Sequence, residues 1–327
     1  MRIKERVIPP SNMKTPILFL IFNRLDTTKQ VFESIRQARP SKLYVASDGP
    51  REERPDEIKV VQAIRDYITS SVDWNCELHT LYREKNLGCK HAVSSALDWF
   101  FSSEEEGIIL EDDCVPEQSF FPFCQEMLER YRDDERVMMI TGTNYLFLNN
   151  EMDDSYFFSK YYIIWGWATW RRAWKLYDIN MTDWPTLQRN KQLEWIYPHK
   201  LLVKIYRTMF QQAYVNEIDT WDIQWWYSCI FQNGLCLVPK YNLISNVGEI
   251  GHFASEGTYD EFIRMPTKPI DYKNLVHPIH VVENGIYDRI TIERVYRNFK
   301  RRYVYKKILP RILSYMHKFK RMMKVFD

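Results

Sequence analysis

The amino-acid sequence predicts an α/β fold in which helices flank a mostly parallel β-sheet. Apolar runs of strand length alternate with amphipathic helical segments through the first half of the 327-residue chain. This alternation is typical of doubly wound sheets, in which a helix connects each pair of parallel strands. The chain contains 45% hydrophobic and 27% charged residues, and this composition excludes a disordered or collagen-like protein.

Five strands are predicted in this first half. In chain order they are residues 17–22, 43–47, 77–82, 107–110 and 137–141. The first of them, ILFLIF, is continuously apolar, which predicts a strand that is buried on both faces.

Four helices are predicted between these strands, because apolar residues recur there at helical spacing. Asp26 can cap the first helix, and Gly88 begins the third. The inward-facing residues are Val31, Ile35 and Ala38 in the first helix, Ile58, Val61, Ile64 and Ile68 in the second, Ala92, Ala96, Trp99 and Phe100 in the third, and Phe120, Cys124, Met127, Leu128 and Tyr131 in the fourth.

The second half of the chain is less regular. Residues 161–174 are rich in aromatic side chains, residues 220–234 predict a helix, and residues 239–245 predict a short strand. We expect one domain over residues 14–260, followed by a C-terminal arm and a basic amphipathic helical tail over residues 261–327.

The charge is divided unevenly along the chain. Residues 294–327 contain 12 Lys and Arg and one acid, whereas the rest of the chain has 33 basic and 42 acidic residues. An acidic body lacks the clustered cations that bind a phosphate backbone, which excludes nucleic acid as a partner. The basic amphipathic tail predicts binding to an anionic membrane surface. The alternative is a helix that packs on its own domain.

The cysteine pattern indicates free thiols. The six cysteines show no CxxC spacing, so neither a zinc knuckle nor a disulfide scaffold is expected. The longest early apolar run, residues 17–22, is far shorter than the roughly 20 residues of a membrane span, and no signal-peptide cleavage pattern follows it. We therefore expect a cytoplasmic protein, held by its tail as a peripheral protein on the inner face of the membrane.

Polar residues follow three of the predicted strands where each strand ends. Arg24 follows the first strand, Asp48 the second, and Glu111, Asp112 and Asp113 the fourth. Because ligands of parallel α/β sheets bind beyond the carboxyl ends of the strands, these residues are expected to form one site.

The three adjacent acids are the sharpest of these features. Carboxylates that follow a buried strand are unfavourable unless something neutralises them. A divalent cation would do so, since hard cations take oxygen ligands. The alternative is a solvated acidic turn that caps the helix near Glu117.

Four segments together carry a family resemblance: ILFLIFNR (17–24), LYVASDGP (43–50), REKNLG (83–88) and GIILEDDCVP (107–116). They resemble the GT-A fold of nucleotide-sugar glycosyltransferases of the family 2 type. The sequence is most similar to Golgi N-acetylglucosaminyltransferases that act on N-glycans and O-mannose glycans, and to their bacterial relatives. The resemblance spans about residues 15–260.

The resemblance implies a role for each strand-end residue. Arg24 would contact the diphosphate or the uridine, and Asp48 would contact the base of the nucleotide. Glu111 would lie near the donor sugar and Asp112 near the ribose. Asp113 would bind the metal, Mn2+ or Mg2+. The segment at residues 86–88 starts a helix whose N-terminus would favour an anion, with simple helix capping as the alternative.

The resemblance also implies a catalytic base. The pair Trp221-Asp222 resembles the Trp-Asp of the family, so Asp222 would be the general base. The family has a second acid directly afterwards, whereas this chain has Ile223. Asp219 and Glu217 therefore stay alternative bases, and an N-terminal helix carboxylate is the structural alternative.

Two further motifs match the family. Trp165 and Trp167, on either side of Gly166, resemble its aromatic sugar-site turn, with a place in the core as the alternative. His252 lies in a glycine-containing loop, residues 246–257, that resembles the loop closing over the nucleotide. It would be a further metal ligand, or else a solvent-exposed histidine.

The sequence thus predicts a metal-dependent, inverting glycosyltransferase. It would move a hexosyl or N-acetylhexosaminyl group from a nucleotide-diphosphate donor, a UDP-sugar, to a hydroxyl of a glycan or lipid-linked saccharide. One alternative is a nucleotidyltransferase that makes a nucleotide sugar, but residues 22–26 lack the glycine-rich loop of those enzymes. The other is a non-catalytic membrane-surface binding protein of the same fold.

Overall fold

The protein is described by a computed structural model over residues 13–146, 152–197, 199–248 and 262–303. Its strands are β1 (Ile17–Ile21), β2 (Lys42–Ser47), β3 (Glu77–Tyr82), β4 (Glu106–Glu111), β5 (Cys114–Pro116), β6 (Val137–Thr141), β7 (Tyr156–Ser159), β8 (Trp167–Trp170), β9 (Leu235–Pro239) and β10 (Ile244–Asn246). Its helices are α1 (Leu25–Ala38), α2 (Asp56–Ser71), α3 (Gly88–Ser103), α4 (Phe120–Arg130), α5 (Arg171–Trp174), α6 (Trp184–Arg189), α7 (Gln192–Ile196), α8 (Lys200–Tyr214), α9 (Asp222–Phe231) and α10 (Gly285–Tyr303).

A central sheet holds eight of the strands in the order β3-β2-β1-β4-β8-β6-β9-β7. The first four pair in parallel, in the 3-2-1-4 order of Rossmann-type sheets. Strand β8 lies antiparallel between β4 and β6, and β7 is antiparallel to β9. The predicted α/β class, with a mostly parallel sheet flanked by helices, is confirmed.

Strand β1 shows why the sheet is covered on both sides. Neighbouring side chains of a strand point to opposite faces. Leu18 and Leu20 belong to one apolar core, whereas Ile17, Phe19 and Ile21 belong to a second. A continuous apolar run is what such a two-sided strand requires, and all five predicted strands of the first half lie within one residue of β1, β2, β3, β4 and β6.

The predicted strand at residues 239–245 is wrong. The structure has β9, which ends at Pro239, and β10, which begins at Ile244. Between them lies Asn242, which is buried and donates to the Ile244 carbonyl at 2.7 Å. Its side chain also accepts from the Asn144 backbone at 3.1 Å. These bonds fix a turn where apolar neighbours suggested a continuous strand.

Part of the predicted C-terminal arm packs on the sheet domain. Phe262, Met265 and Ile270 are buried, and the backbone N–H of Ile270 donates to Ser119 Oγ at 2.9 Å. In α10, Asp288 accepts from Ser159 Oγ at 2.5 Å and from the Lys160 backbone at 3.0 Å. Residues 262–270 and the buried Asp288 of α10 therefore pack against the domain.

All six cysteines are free thiols in this structure. Among the described residues, no helix has both the length and the apolarity to cross a bilayer.

Candidate functional site

A cleft of about 960 Å³ opens at the carboxyl ends of β1, β2 and β4. Its lining includes Arg24, Asp48, Glu111 and Asp112, four of the residues that the sequence placed in one site. This is the edge of the sheet where ligands of parallel α/β folds bind. Asp113 joins the group through its contact with Arg24.

One guanidinium bridges two acids of the triplet. Nη2 of Arg24 lies 2.5 Å from Asp112 Oδ1, and Nη1 lies 2.7 Å from Asp113 Oδ2. The other oxygen of Asp112 accepts from the Phe22 backbone at 3.2 Å. Both aspartates are buried. The Arg24 guanidinium therefore neutralises part of the negative charge that the sequence analysis expected a metal ion to neutralise.

Glu111 is the least satisfied member of the triplet. Its Oε1 atom is buried and has no hydrogen-bond partner in the described structure. Burial, followed by the nearby charge of Asp113, raises the pKa of Glu111 well above its ordinary value. Burial also raises the pKa of Asp112, although Arg24 acts in the opposite direction. Glu111 therefore brings a buried carboxyl oxygen without a hydrogen-bond partner to the lining of the cleft.

The acidic triplet fits the chemistry of Mn2+ or Mg2+. Carboxylate oxygens are the ligands of these hard cations, and both Asp113 and the unpartnered oxygen of Glu111 belong to this class. The described residues contain no group of three or more His, Cys, Asp or Glu side chains that could hold a metal. The predicted ligand His252 lies outside the described residues. One oxygen of Asp113 is bonded to Arg24, so a cation would have to share or replace that contact.

The loop predicted to close over the nucleotide starts beside Asp113. After β10, the backbone N–H of Val247 donates to the Asp113 carbonyl at 2.8 Å. A Cβ atom on Gly248 would collide with Asp113 Oδ2. A side chain at position 248 would therefore have to displace the Asp113 carboxylate from its present position beside Arg24.

Asp48 joins two loops of the cleft. Both of its carboxylate oxygens accept from the Leu87 backbone at 3.0 Å, and Oδ1 also accepts from Gly49 at 3.0 Å. Asn86 donates to the Gly49 carbonyl at 2.8 Å. Burial raises the pKa of Asp48, although these backbone bonds oppose the shift. Asp48 thus holds the loops after β2 and β3 together at the rim of the cleft.

Sequence reasoning missed two arginines near this rim. Arg65 of α2 donates to the carbonyls of Asp48 at 3.0 Å and Arg83 at 2.7 Å. Arg83 lines the cleft and donates to Ser95 Oγ at 2.8 Å, with no carboxylate within ion-pair distance among the described residues. The signal for Arg65 was available in the sequence, because Arg65 is a charged residue between Val61 and Ile68, two residues on the inward face of α2.

The N-terminus of α3 is capped from a distant part of the chain. Asp219 accepts from the Cys89 backbone at 2.8 Å and from the Lys90 backbone at 2.9 Å. The side chain of Lys90 donates to Asn216 Oδ1 at 2.8 Å. The N-terminus of α3 is therefore capped, as the structural alternative expected. The Asp219 carboxylate occupies the position that a ligand anion would take.

Asp222 begins α9 and is half-buried. Its Oδ1 accepts from Thr220 Oγ1 and, at 2.9 Å, from the Ile223 backbone, whereas Oδ2 takes no hydrogen bond from the described residues. Burial raises the pKa of Asp222. Its charge contributes to the raised pKa of Glu111, although Asp222 is not among the residues that line the cleft.

The two tryptophans of the predicted sugar-site turn differ in exposure. Trp167 is 0% exposed, and its ring stacks on Trp221 at a centroid distance of 5.6 Å. No surface of Trp167 is available to a sugar, so the core alternative describes this residue. Trp165 is half-buried. Gly166 lies between them with φ +60°, and a Cβ there would meet the side chain of Ile244.

No protein-family model matches the chain. No curated protein matches it either.

Several solved structures show a weak likeness. Mannosyltransferase PcManGT from Pyrobaculum calidifontis, in complex with GDP-Man and Mn2+, has 13% identity and a TM-score of 0.34, with 49% of this chain and 45% of that chain covered. HddC from Yersinia pseudotuberculosis, complexed with GMP-PN, has 10% identity and a TM-score of 0.31, with 48% and 77% covered. S. aureus TarS 1-349 has 13% identity and a TM-score of 0.33, with 62% and 56% covered. The chain spans about half the length of the mannosyltransferase and TarS structures.

Proposed function

We propose that the protein is a glycosyltransferase that moves a sugar from a nucleotide-diphosphate donor to a hydroxyl acceptor. The observation that carries the proposal is the cleft at the carboxyl ends of the parallel strands, where Arg24, Glu111 and Asp112 meet. Asp222 contributes to the raised pKa of Glu111, and one of its carboxylate oxygens takes no hydrogen bond from the described residues. This arrangement offers groups for a diphosphate, a cation and an acceptor proton.

The donor would bind along the cleft. Arg24 and Arg83 are cations that can contact its diphosphate, since a guanidinium binds phosphate oxygens in pairs. Asp48 would contact the base, Asp112 would lie near the ribose and Glu111 near the sugar. A UDP-sugar with a hexosyl or N-acetylhexosaminyl group is the proposed donor.

Asp113 and Glu111 would hold Mn2+ or Mg2+, with His252 as a further ligand. When bound, the cation would stabilise the negative charge of the departing diphosphate. The protein's own part is to present carboxylate oxygens at the strand end and to hold Asp113 against the backbone of Val247.

Asp222 would accept the proton of the acceptor hydroxyl as this oxygen attacks the anomeric carbon. Thr220 and the Ile223 backbone fix Oδ1 and leave Oδ2 for the proton. The raised pKa of Asp222 makes its carboxylate a stronger base than an exposed aspartate. A single displacement needs no enzyme nucleophile and inverts the anomeric configuration.

The acceptor would be a saccharide or a lipid-linked saccharide. Trp165 is the aromatic residue of the turn that still has exposed surface for a sugar ring. A cytoplasmic protein at an anionic membrane surface would meet a lipid-linked acceptor there. The basic tail would provide that contact.

A transfer assay with Mn2+ and a panel of nucleotide sugars tests the proposal. Asp222→Asn should lower turnover by about 10²–10⁴, the usual contribution of a general base, with donor affinity nearly unchanged. Asp113→Asn should abolish metal-dependent nucleotide binding. Asp66→Asn, an exposed carboxylate of α2, is the matched control and should change neither quantity.

Three outcomes would contradict the proposal. A fall of less than tenfold for Asp222→Asn would move the base elsewhere, with Glu217 next because Asp219 caps α3. A product with the donor's own anomeric configuration would exclude single displacement. Synthesis of a nucleotide sugar from a nucleoside triphosphate and a sugar phosphate would indicate a nucleotidyltransferase.

A further inference from the structure

Arg24 and the acids it bridges differ strongly in exposure. The side chain of Arg24 is 41% exposed, whereas those of Asp112 and Asp113 are 3% and 12% exposed. The carboxylates also accept other hydrogen bonds, Asp112 from the Phe22 backbone and Asp113 from the Cys114 thiol at 3.4 Å. The guanidinium is therefore the member of this group that can leave, because its side chain already borders the open cleft.

The guanidinium bonds to an oxygen that a metal would need. Asp113 Oδ2 lies 2.7 Å from Arg24 Nη1, and Asp113 is the proposed principal metal ligand. Two cations at one carboxylate oxygen repel each other. Without a cation, however, three adjacent acids in a buried setting would be unfavourable. Arg24 relieves this cost in the protein as it stands.

We propose that Arg24 is an internal counter-cation that competes with a divalent metal ion for Asp113. The guanidinium closes the acidic site when the cleft is empty, and it lowers the affinity of the site for a metal alone. A diphosphate in the cleft would give the guanidinium an alternative anionic partner of suitable geometry. This inference rests on the proposed metal site, and it concerns binding, not turnover.

Titration with Mn2+ alone tests the competition, with the loss of the free-ion electron paramagnetic resonance signal as the readout. Arg24→Met keeps the length of the side chain and removes the charge, so it should bind Mn2+ at least tenfold more tightly than the wild type. Asp113→Asn in the Arg24→Met background should lose that gain. Arg36→Met is the matched control, since Arg36 also pairs with carboxylates, those of Asp73 and Glu33. It should leave Mn2+ affinity unchanged.

Arg24→Lys covers the case in which Arg24→Met does not fold. A lysine retains the charge but cannot bridge two carboxylates as a planar fork, so Mn2+ affinity should lie between those of the wild type and Arg24→Met. If the wild type binds Mn2+ and the folded Arg24 variants bind it equally well or more weakly, the proposed competition is wrong, whereas the proposed metal site is not contradicted. No Mn2+ binding by any variant would overturn the metal site as well.

Discussion

Trp167 lies fully inside the core, although it directly follows a turn glycine. Its ring contacts Trp221 and Trp225. Replacement by alanine should lower the free energy of unfolding by about 3–5 kcal/mol, because it leaves a large cavity. Trp195, which is 74% exposed, is the control, and its replacement should change the free energy by less than about 0.5 kcal/mol. Urea denaturation measures both. A Trp167→Ala protein with unchanged stability and weakened acceptor binding would contradict this result and indicate that Trp167 contacts the sugar.

Asp288 predicts a pH dependence of stability. Burial raises its pKa to about 6, above the value of an unfolded aspartate. The folded state therefore binds the proton more tightly, so the contribution of Asp288 to stability falls as the pH rises from about 4 to 6. Asp288→Asn should remove this slope and gain about 3 kcal/mol relative to the wild type between pH 4 and pH 7. Asp66→Asn should show no such gain, and parallel pH profiles for wild type and Asp288→Asn would contradict the assignment.

The sequence could not separate Trp165 from Trp167. Both flank a glycine in an aromatic run, and the local pattern is the same for a surface turn and for a buried strand. The difference arises because β8 is inserted between β4 and β6, strands that are far away in the sequence. Arg24 was predicted to contact the ligand. Its ion pairs with Asp112 and Asp113 were not predicted, because the spacing of residues along the sequence does not give the distance between side chains on different strands.

At the scale of single elements, α3 depends on a cap from a remote loop. Asp219→Ala should destabilise the protein by about 1–2 kcal/mol, the usual effect of losing an N-cap. Hydrogen exchange at the Cys89 and Lys90 amides should accelerate, because both N–H groups lose their acceptor. Asp219→Asn retains an acceptor oxygen and should keep part of the protection. Unchanged exchange in Asp219→Ala would show that the contact does not form in solution.

Elements built from local patterns were predicted well, and those built from distant contacts were not. Strands β1, β2 and β4 are apolar runs whose burial is visible in composition alone. Strand β8 lies in the aromatic segment 161–174, which lacks a clear period, and the helices α6 and α7 are too short to show one. The type of these elements therefore depends on packing. The cap of α3 had no local signal either, because Asp219 lies 130 residues beyond Cys89.

On the scale of the whole molecule, the described part of the C-terminal arm belongs to the folded domain. Truncation should therefore follow Tyr303, the end of α10. This removes residues 304–327, with seven Lys and Arg, and should preserve thermal stability. Each such cation contributes on the order of 1 kcal/mol at an anionic surface, so the truncated protein should float less with anionic liposomes at low salt.

One control and one contradicting outcome define the result of this flotation assay. High salt should release the full-length protein as well, because screening weakens surface charge. Equal flotation of full-length and truncated protein would mean that the predicted tail does not hold the protein at a membrane.

The central position of β8 has a consequence for protein synthesis. As the chain leaves the ribosome, the parallel half of the sheet is complete once β4 has emerged, but the free edge of β4 remains unpaired until residues 167–170 follow. An exposed apolar edge invites pairing with other nascent chains. A fragment that ends at residue 146 keeps this edge open permanently, and we expect it to aggregate where the complete chain stays dispersed.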